Sequence, residues 1–199
     1  LAAGDSVTGR RVLLDGEAVP PADRLVTSGN LVAHLSQNMR FVLDLTVRDF
    51  LTLHCRCRDR KTLSPQTIID TANTITPEPV RLEESLNLLS GGQSRALMIA
   101  DIALACDSPI VLIDEIENAG IDKKKALHLL TGTRKLVLIV THDPHTALMA
   151  PKRIIMQNGA IRAVLTRTAG EDRIFSYLDR IYEEQTALQA RLRKGEFLS

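Results

Sequence analysis

Two short runs are apolar at nearly every position, Pro109 to Ile113 and Lys135 to Val140. Both are rich in β-branched residues and too short for a buried helix, so they read as buried strands of a parallel sheet. Polar residues follow each at once: Asp114-Glu115 after the first, Thr141-His142-Asp143 after the second. Leu25 to Leu35 reads as a further strand region leading to Gln37, and Arg11 to Glu17 as a strand and turn. Elsewhere the apolar residues recur at helical spacing. Thr46 to Cys57 places Val47, Phe50, Leu51 and Leu53 behind a threonine suited to capping. Ser64-Pro65 opens a second helix, with serine as N-cap, proline at the first helical position, and Ile68, Ile69 and Ala72 on one face. Thr76-Pro77-Glu78-Pro79 breaks it.

Ser94 to Ala105, rich in Ala, Leu, Met and Ile, predicts a third helix. Lys123 to Leu130 predicts a fourth, capped by Asp122 and stopped at Gly132. Asp143-Pro144 starts another. Arg153 to Met156 and Ala160 to Arg162 form a hairpin about Asn158-Gly159, a strong short turn signal. In the last helix, Glu171 to Lys194, residues Ile174, Leu178, Ile181, Gln185, Leu188 and Leu192 recur at 4,3,4,3,4 spacing. That heptad stripe suits either a helix packed on its own domain or a seam for a second helix. Strands alternating with helices place the chain in the α/β class.

Composition acts mainly by exclusion. Hydrophobic residues make up 44% of the 199, enough for a core. With 25 basic against 24 acidic residues the net charge is +1, and no basic excess points to nucleic acid. No apolar run approaches the length of a membrane span. Leu1-Ala2-Ala3-Gly4 is not a charged-then-apolar leader. Three cysteines, an odd number, suit a reducing compartment. Cys55 and Cys57 flank Arg56 beside His54, but no second Cys/His pair completes a zinc set, so they read as ordinary thiols. Arg56, Arg58, Arg60 and Lys61 form a basic run, a solvated face or a site for an acidic partner.

The stretch with the most chemistry is Leu89-Ser90-Gly91-Gly92-Gln93. Two glycines let the backbone approach an anion closely, and a helix N-terminus presents unpaired N–H groups to it. That is a ready phosphate site. An acidic pair ending a parallel strand lies where ligands bind in open α/β sheets. A carboxylate there suits a hard cation such as Mg²⁺.

The order Gln37, Leu-Ser-Gly-Gly-Gln, apolar strand with Asp-Glu, apolar strand with His closely resembles the nucleotide-binding domains of ABC ATPases, from Leu1 to about Ile161. The resemblance implies a P-loop NTPase-like, mainly parallel sheet with helices, an inserted helical subdomain and a C-terminal helix. Domain boundaries would follow as an N-terminal core part at 1–38, a helical subdomain at 39–88, the remaining core at 89–165 and a helical appendage at 166–199. Gln37 would touch Mg²⁺ and the γ-phosphate, and Asp114 would hold the metal through water. Glu115 would polarise the attacking water, with His142 at the γ-phosphate. Ser90, Gly91, Gly92 and Gln93 would serve ATP bound to a second copy, and Asp122 would keep the place of the D-loop aspartate. Ile116-Glu117-Asn118-Ala119-Gly120-Ile121 departs from the usual text between catalytic glutamate and D-loop, which leaves the subfamily open.

The resemblance also places the Walker A loop ahead of Leu1. Gly4-Asp5-Ser6-Val7-Thr8-Gly9-Arg10-Arg11 is a near miss, without the lysine, the following hydroxyl or a helix after it. These 199 residues alone are therefore expected not to hydrolyse ATP in the normal way. The implied function is the ATP-binding subunit of a transporter, working as a head-to-tail dimer with transmembrane permease subunits. It would sit in the cytoplasm on the inner face of the membrane, with no nucleic-acid partner. A soluble ABC ATPase of DNA repair or translation, and a non-catalytic regulatory module, are the alternatives.

Overall fold

The computed structural model describes residues 13–23, 31–37 and 41–197. The Gly4 to Arg11 near miss and most of the strand region before Leu31 lie outside them. The chain forms two compact units, Leu1–Val140 and Thr141–Ser199.

In the first unit, β1 (Leu13–Leu14) and β2 (Glu17–Ala18) make a small antiparallel hairpin. Its turn places Asp15 and Gly16 at positive φ. A three-stranded parallel sheet follows in the order β3 (Val32–Leu35), β4 (Ile110–Asp114), β5 (Leu136–Val140). The middle strand is the densest, with Val111 and Ile113 buried.

Among the described residues this unit has four α-helices: α1 (Val47–Cys57), α2 (Pro65–Asn73), α3 (Gly91–Leu104) and α4 (Lys123–Thr131). The capping chemistry legible in the sequence forms as expected. Thr46 accepts from Asp49 N, Ser64 from Gln66 N with Pro65 at the first helical position, and Asp122 from Lys125 N. Helix α3 is apolar nearly all round and is the centre of the core, as that composition requires. It packs on α2, α4 and β3 and buries Ala96, Leu97, Ile99 and Ala100.

Strand β5 departs from the expectation of a fully buried strand. Leu136, Leu138 and Val140 are exposed while Val137 and Ile139 are partly covered. Successive side chains of a strand point to opposite faces, and in β5 the face of Val137 and Ile139 is the more covered one.

The second unit holds α5 (Pro144–Met149), an antiparallel hairpin of β6 (Lys152–Gln157) and β7 (Ala160–Thr166), and α6 (Ala169–Arg193). Asn158 and Gly159 take positive φ in the hairpin turn. Thr168 and Glu171 close a capping box on α6. The heptad stripe is only in part the face by which α6 packs, with Leu178 common to both. Ile174, Ile181, Leu188 and Leu192 are exposed, whereas Phe175, Leu178, Asp179 and Tyr182 are half-buried. Aromatic and ionic contacts to α5 outcompete an aliphatic stripe that only spacing had singled out. Among the described residues no helix is long and apolar enough to cross a membrane.

Candidate functional site

Glu115 follows the last residue of β4 and takes a left-handed backbone, φ 48° and ψ 65°. That conformation costs a non-glycine residue ~1–3 kcal/mol, and such residues cluster at functional sites. The surroundings hold it there. Its N–H donates to the carbonyl of Val140 at the tip of β5, 3.0 Å away. Its carboxylate accepts from Gln37 Nε2 at 2.5 Å. The parallel register puts Leu35, Ile113 and Ile139 side by side, so Gln37 leaves its strand at the same sheet end as Asp114 and Glu115. Two residues 78 positions apart in sequence thus meet beyond the carboxyl ends of parallel strands.

Asp114 closes β4, paired to Val140. Beneath the acidic tip lies Arg95, from the second turn of α3 and only 6% exposed. Its Nη2 donates to the Asp114 carbonyl. Burial lowers the guanidinium pKa from its ordinary value, while the charges of Asp114, Glu117 and Glu115 oppose that fall. Sequence reading passed over Arg95; an arginine inside a mostly apolar helix was the available signal.

The Ser90–Gln93 corner is the N-terminus of that same helix. Ser90 Oγ accepts from Gln93 N, and Gln93 Oε1 accepts from Ser90 N at 2.9 Å, a complete capping box. Ser90 Oγ also donates to Glu78 at 3.0 Å, and Gln93 Nε2 to the Pro79 carbonyl at 3.0 Å. Ser90 and Gly91 are exposed, Gly92 and Gln93 partly so. A Cβ built on Gly91 would meet nothing within 4 Å. The fold of this chain therefore makes no demand for glycine there, and the space in front of it is open.

Asp122 sits at the N-cap of α4, and its N–H donates to the Ile75 carbonyl at 2.8 Å. His142 belongs to the second unit, exposed, one residue before the N-cap of α5. The structure thus joins Gln37, Asp114 and Glu115 at one sheet end. It sets Ser90 to Gln93 at the head of α3, Asp122 at the head of α4 and His142 before α5.

The basic run seen in sequence is only partly a solvated face. Arg58 reaches Cys106 Sγ at 3.0 Å and His54 Nε2 at 3.4 Å, and Arg60 pairs with Asp107.

No family model matches the chain. Over its whole length it is 44% identical to an uncharacterized ABC transporter ATP-binding protein of Methanocaldococcus jannaschii, across 201 aligned residues covering 77% of that relative. This chain is an ABC-type ATP-binding protein. Other ABC proteins match more distantly. The lipoprotein-releasing system ATP-binding protein LolD of Protochlamydia amoebophila is 20% identical over 159 residues, 74% of this chain and 68% of LolD. An energy-coupling factor transporter ATP-binding protein of Mycoplasma capricolum is 35% identical over 103 residues, 49% of this chain and 25% of that protein. Among solved structures, a dimeric post-hydrolysis ATP-binding cassette with ADP and Pi superposes with a TM-score of 0.60, covering 78% of this chain and 72% of that one at 22% identity. The ATP-binding subunit of an ABC transporter gives 0.55, covering 87% and 75% at 23% identity. These two likenesses establish the ABC ATPase fold, a parallel sheet with helices.

Proposed function

We propose that this ABC protein is the ATP-binding subunit of a transporter. It would couple ATP binding and hydrolysis at a head-to-tail dimer to movement of transmembrane permease subunits, from the cytoplasmic face of the membrane. The observation that carries the reading is the bond between Gln37 and Glu115 beside Asp114 at one sheet end. Phosphoryl transfer to water is mainly a matter of position and charge, and this arrangement supplies both. Glu115 is aimed by Gln37 and fixed by its backbone, as a general base must be. Arg95 offsets part of the negative charge gathered at the strand tip.

The residues present fit Mg²⁺. No group of three or more His, Cys, Asp or Glu that could hold a metal alone occurs among the described residues. Mg²⁺ asks for less: one or two carboxylates, with water and substrate phosphates completing its shell. Asp114 and the Gln37 oxygen would hold it, and the ion would neutralise phosphate charge. The open space at Gly91, at a helix N-terminus, suits the phosphates of ATP carried by a second copy. His142 would contact the γ-phosphate and Asp122 the dimer seam.

The test is ATP turnover in protein that carries a Walker A loop ahead of Leu1, together with co-purification. Glu115→Gln should lower turnover by ~10²–10⁴ while ATP still binds, and tagged protein should recover a polytopic membrane protein. Turnover unaffected by Glu115→Gln, or recovery of ribosomes or DNA in place of a membrane protein, would overturn the assignment.

A further inference from the structure

We propose that His145 is a positioning residue: it fastens the short helix behind His142 to α6, so that the C-terminal helix serves as a splint for the His142 loop. The inference rests on the ATPase reading for the role of His142 and on geometry within the second unit for the splint.

His142 is exposed and carried by a loop between β5 and α5. Local bonds bracket it. The Asp143 N–H donates to Thr141 Oγ1 at 3.0 Å, across His142. The Asp143 carboxylate then accepts from Thr146 N at 2.8 Å and from Thr146 Oγ1 at 2.6 Å, capping α5. The direction of the His142 loop is therefore set by the direction of α5. That helix spans only Pro144–Met149, too short to hold itself in place.

Its anchorage comes from α6. His145, in the first turn of α5, is 4% exposed. Its ring stacks on Phe175 at 5.6 Å and 11°, and on Tyr182 at 4.9 Å and 29°. Its Nε2 lies 3.0 Å from Asp179 Oδ1, and an acceptor carboxylate fixes the hydrogen on Nε2. Phe175, Asp179 and Tyr182 recur along one face of α6. The far end of α5 is held separately. Arg167 Nη1 donates to the Leu148 carbonyl at 2.6 Å, its Nε pairs with Asp172 at 2.7 Å, and its guanidinium lies over Phe175 at 5.1 Å. Both ends of a one-and-a-half-turn helix are thus tied to α6. An ordinary core position would take an aliphatic side chain; an imidazole between two rings with a directed bond fixes rotation as well as distance.

The test compares Asp179→Ala, which removes the acceptor, with Asp179→Asn, which keeps an oxygen in the same place, and with His145→Phe, which keeps the stack alone. The readouts are the imidazole NMR signals of His142, amide exchange over residues 141–149, and kcat and KM for ATP, all in protein that carries a Walker A loop ahead of Leu1. The splint predicts that Asp179→Ala broadens or splits the His142 signals, speeds exchange over 141–149, and lowers kcat by up to ~10²-fold with KM little changed, as misplacement of a reacting group does. Asp179→Asn restores wild-type values, and His145→Phe falls between. His142 signals and exchange that are unchanged in Asp179→Ala overturn the splint. So does altered exchange with unchanged kcat, because α6 would then steady α5 without serving His142. Failure of the ATPase reading shows separately, as turnover indifferent to Glu115→Gln; the NMR and exchange arms judge the splint in either case.

Discussion

Gly91→Ala should stabilise this protein and disable it. Gly91 is the first helical residue of α3, with the serine N-cap before it, and its backbone lies outside the left-handed region. A Cβ at this position meets nothing within 4 Å in the chain itself. Alanine at a compatible site lowers the entropy of the unfolded chain and stabilises by ~0.4–1 kcal/mol. For a chain of this size that is a rise in melting temperature of ~1–4 °C. The same methyl group stands in the open space where the phosphates of a neighbouring copy's ATP are proposed to approach. Loss of one preorganised N–H donor to a transition-state anion costs ~10²–10³ in kcat. Thermal melts followed by circular dichroism, beside steady-state turnover, give the two signs. A variant that melts higher and turns over normally would refute the role of Gly91. One that melts lower would refute the open site.

The remaining predictions concern what supports the site. Asp101 is fully buried in α3, with His54 Nδ1 2.8 Å from its Oδ2 in a contact too poorly aligned for a hydrogen bond. His54→Ala should therefore cost ~1–3 kcal/mol, the range for leaving a buried polar group without its neighbour. The double variant His54→Leu/Asp101→Leu should regain most of that in urea denaturation; a His54→Ala chain as stable as wild type would contradict it. Arg153 holds the Glu171 carboxyl below its ordinary value of 4.5 through a side-chain hydrogen bond. A depressed carboxylate contributes stability above its unfolded pKa and loses it as pH falls through the folded one. Amide exchange at the start of α6 should accordingly speed up only below about pH 4.5, and Arg153→Gln should abolish that step; a transition nearer neutrality would point to another group.

How far the sequence could be read follows the range of the forces involved. Capping is local, so Thr46, Ser64, Asp122 and Asp143 were all legible as helix starts, whereas α3 begins at Gly91, three residues before the expected Ser94. The strand-tip positions of Asp114 and Glu115 were legible because an apolar run must end where its carboxylates begin. The contact of Gln37 with Glu115 could not be read from either segment alone, since it depends on the register of β3 against β4. The resemblance supplied their shared role, and the fold supplies the bond. Arg95 was missed because a buried arginine is interpretable only once its carboxylate neighbours are known. The α6 stripe was open to two readings, and its exposure speaks against packing on its own domain. Spacing marks which residues share a face but not which face finds a partner, and Phe175 with Tyr182 found His145. Strand β5 looked buried from its composition, whereas burial depends on what lies over each face.

The central claim is that the Ser90–Gly92 corner closes over a nucleotide held by a second copy. Sedimentation of the Glu115→Gln protein with and without ATP and Mg²⁺ tests it most directly, because slowed hydrolysis lets a closed pair accumulate. The account predicts a monomer without nucleotide, a dimer with ATP, and a monomer again when Gly91→Asp is added, with ATP binding retained. A dimer that forms without ATP, or one that survives Gly91→Asp, would contradict it.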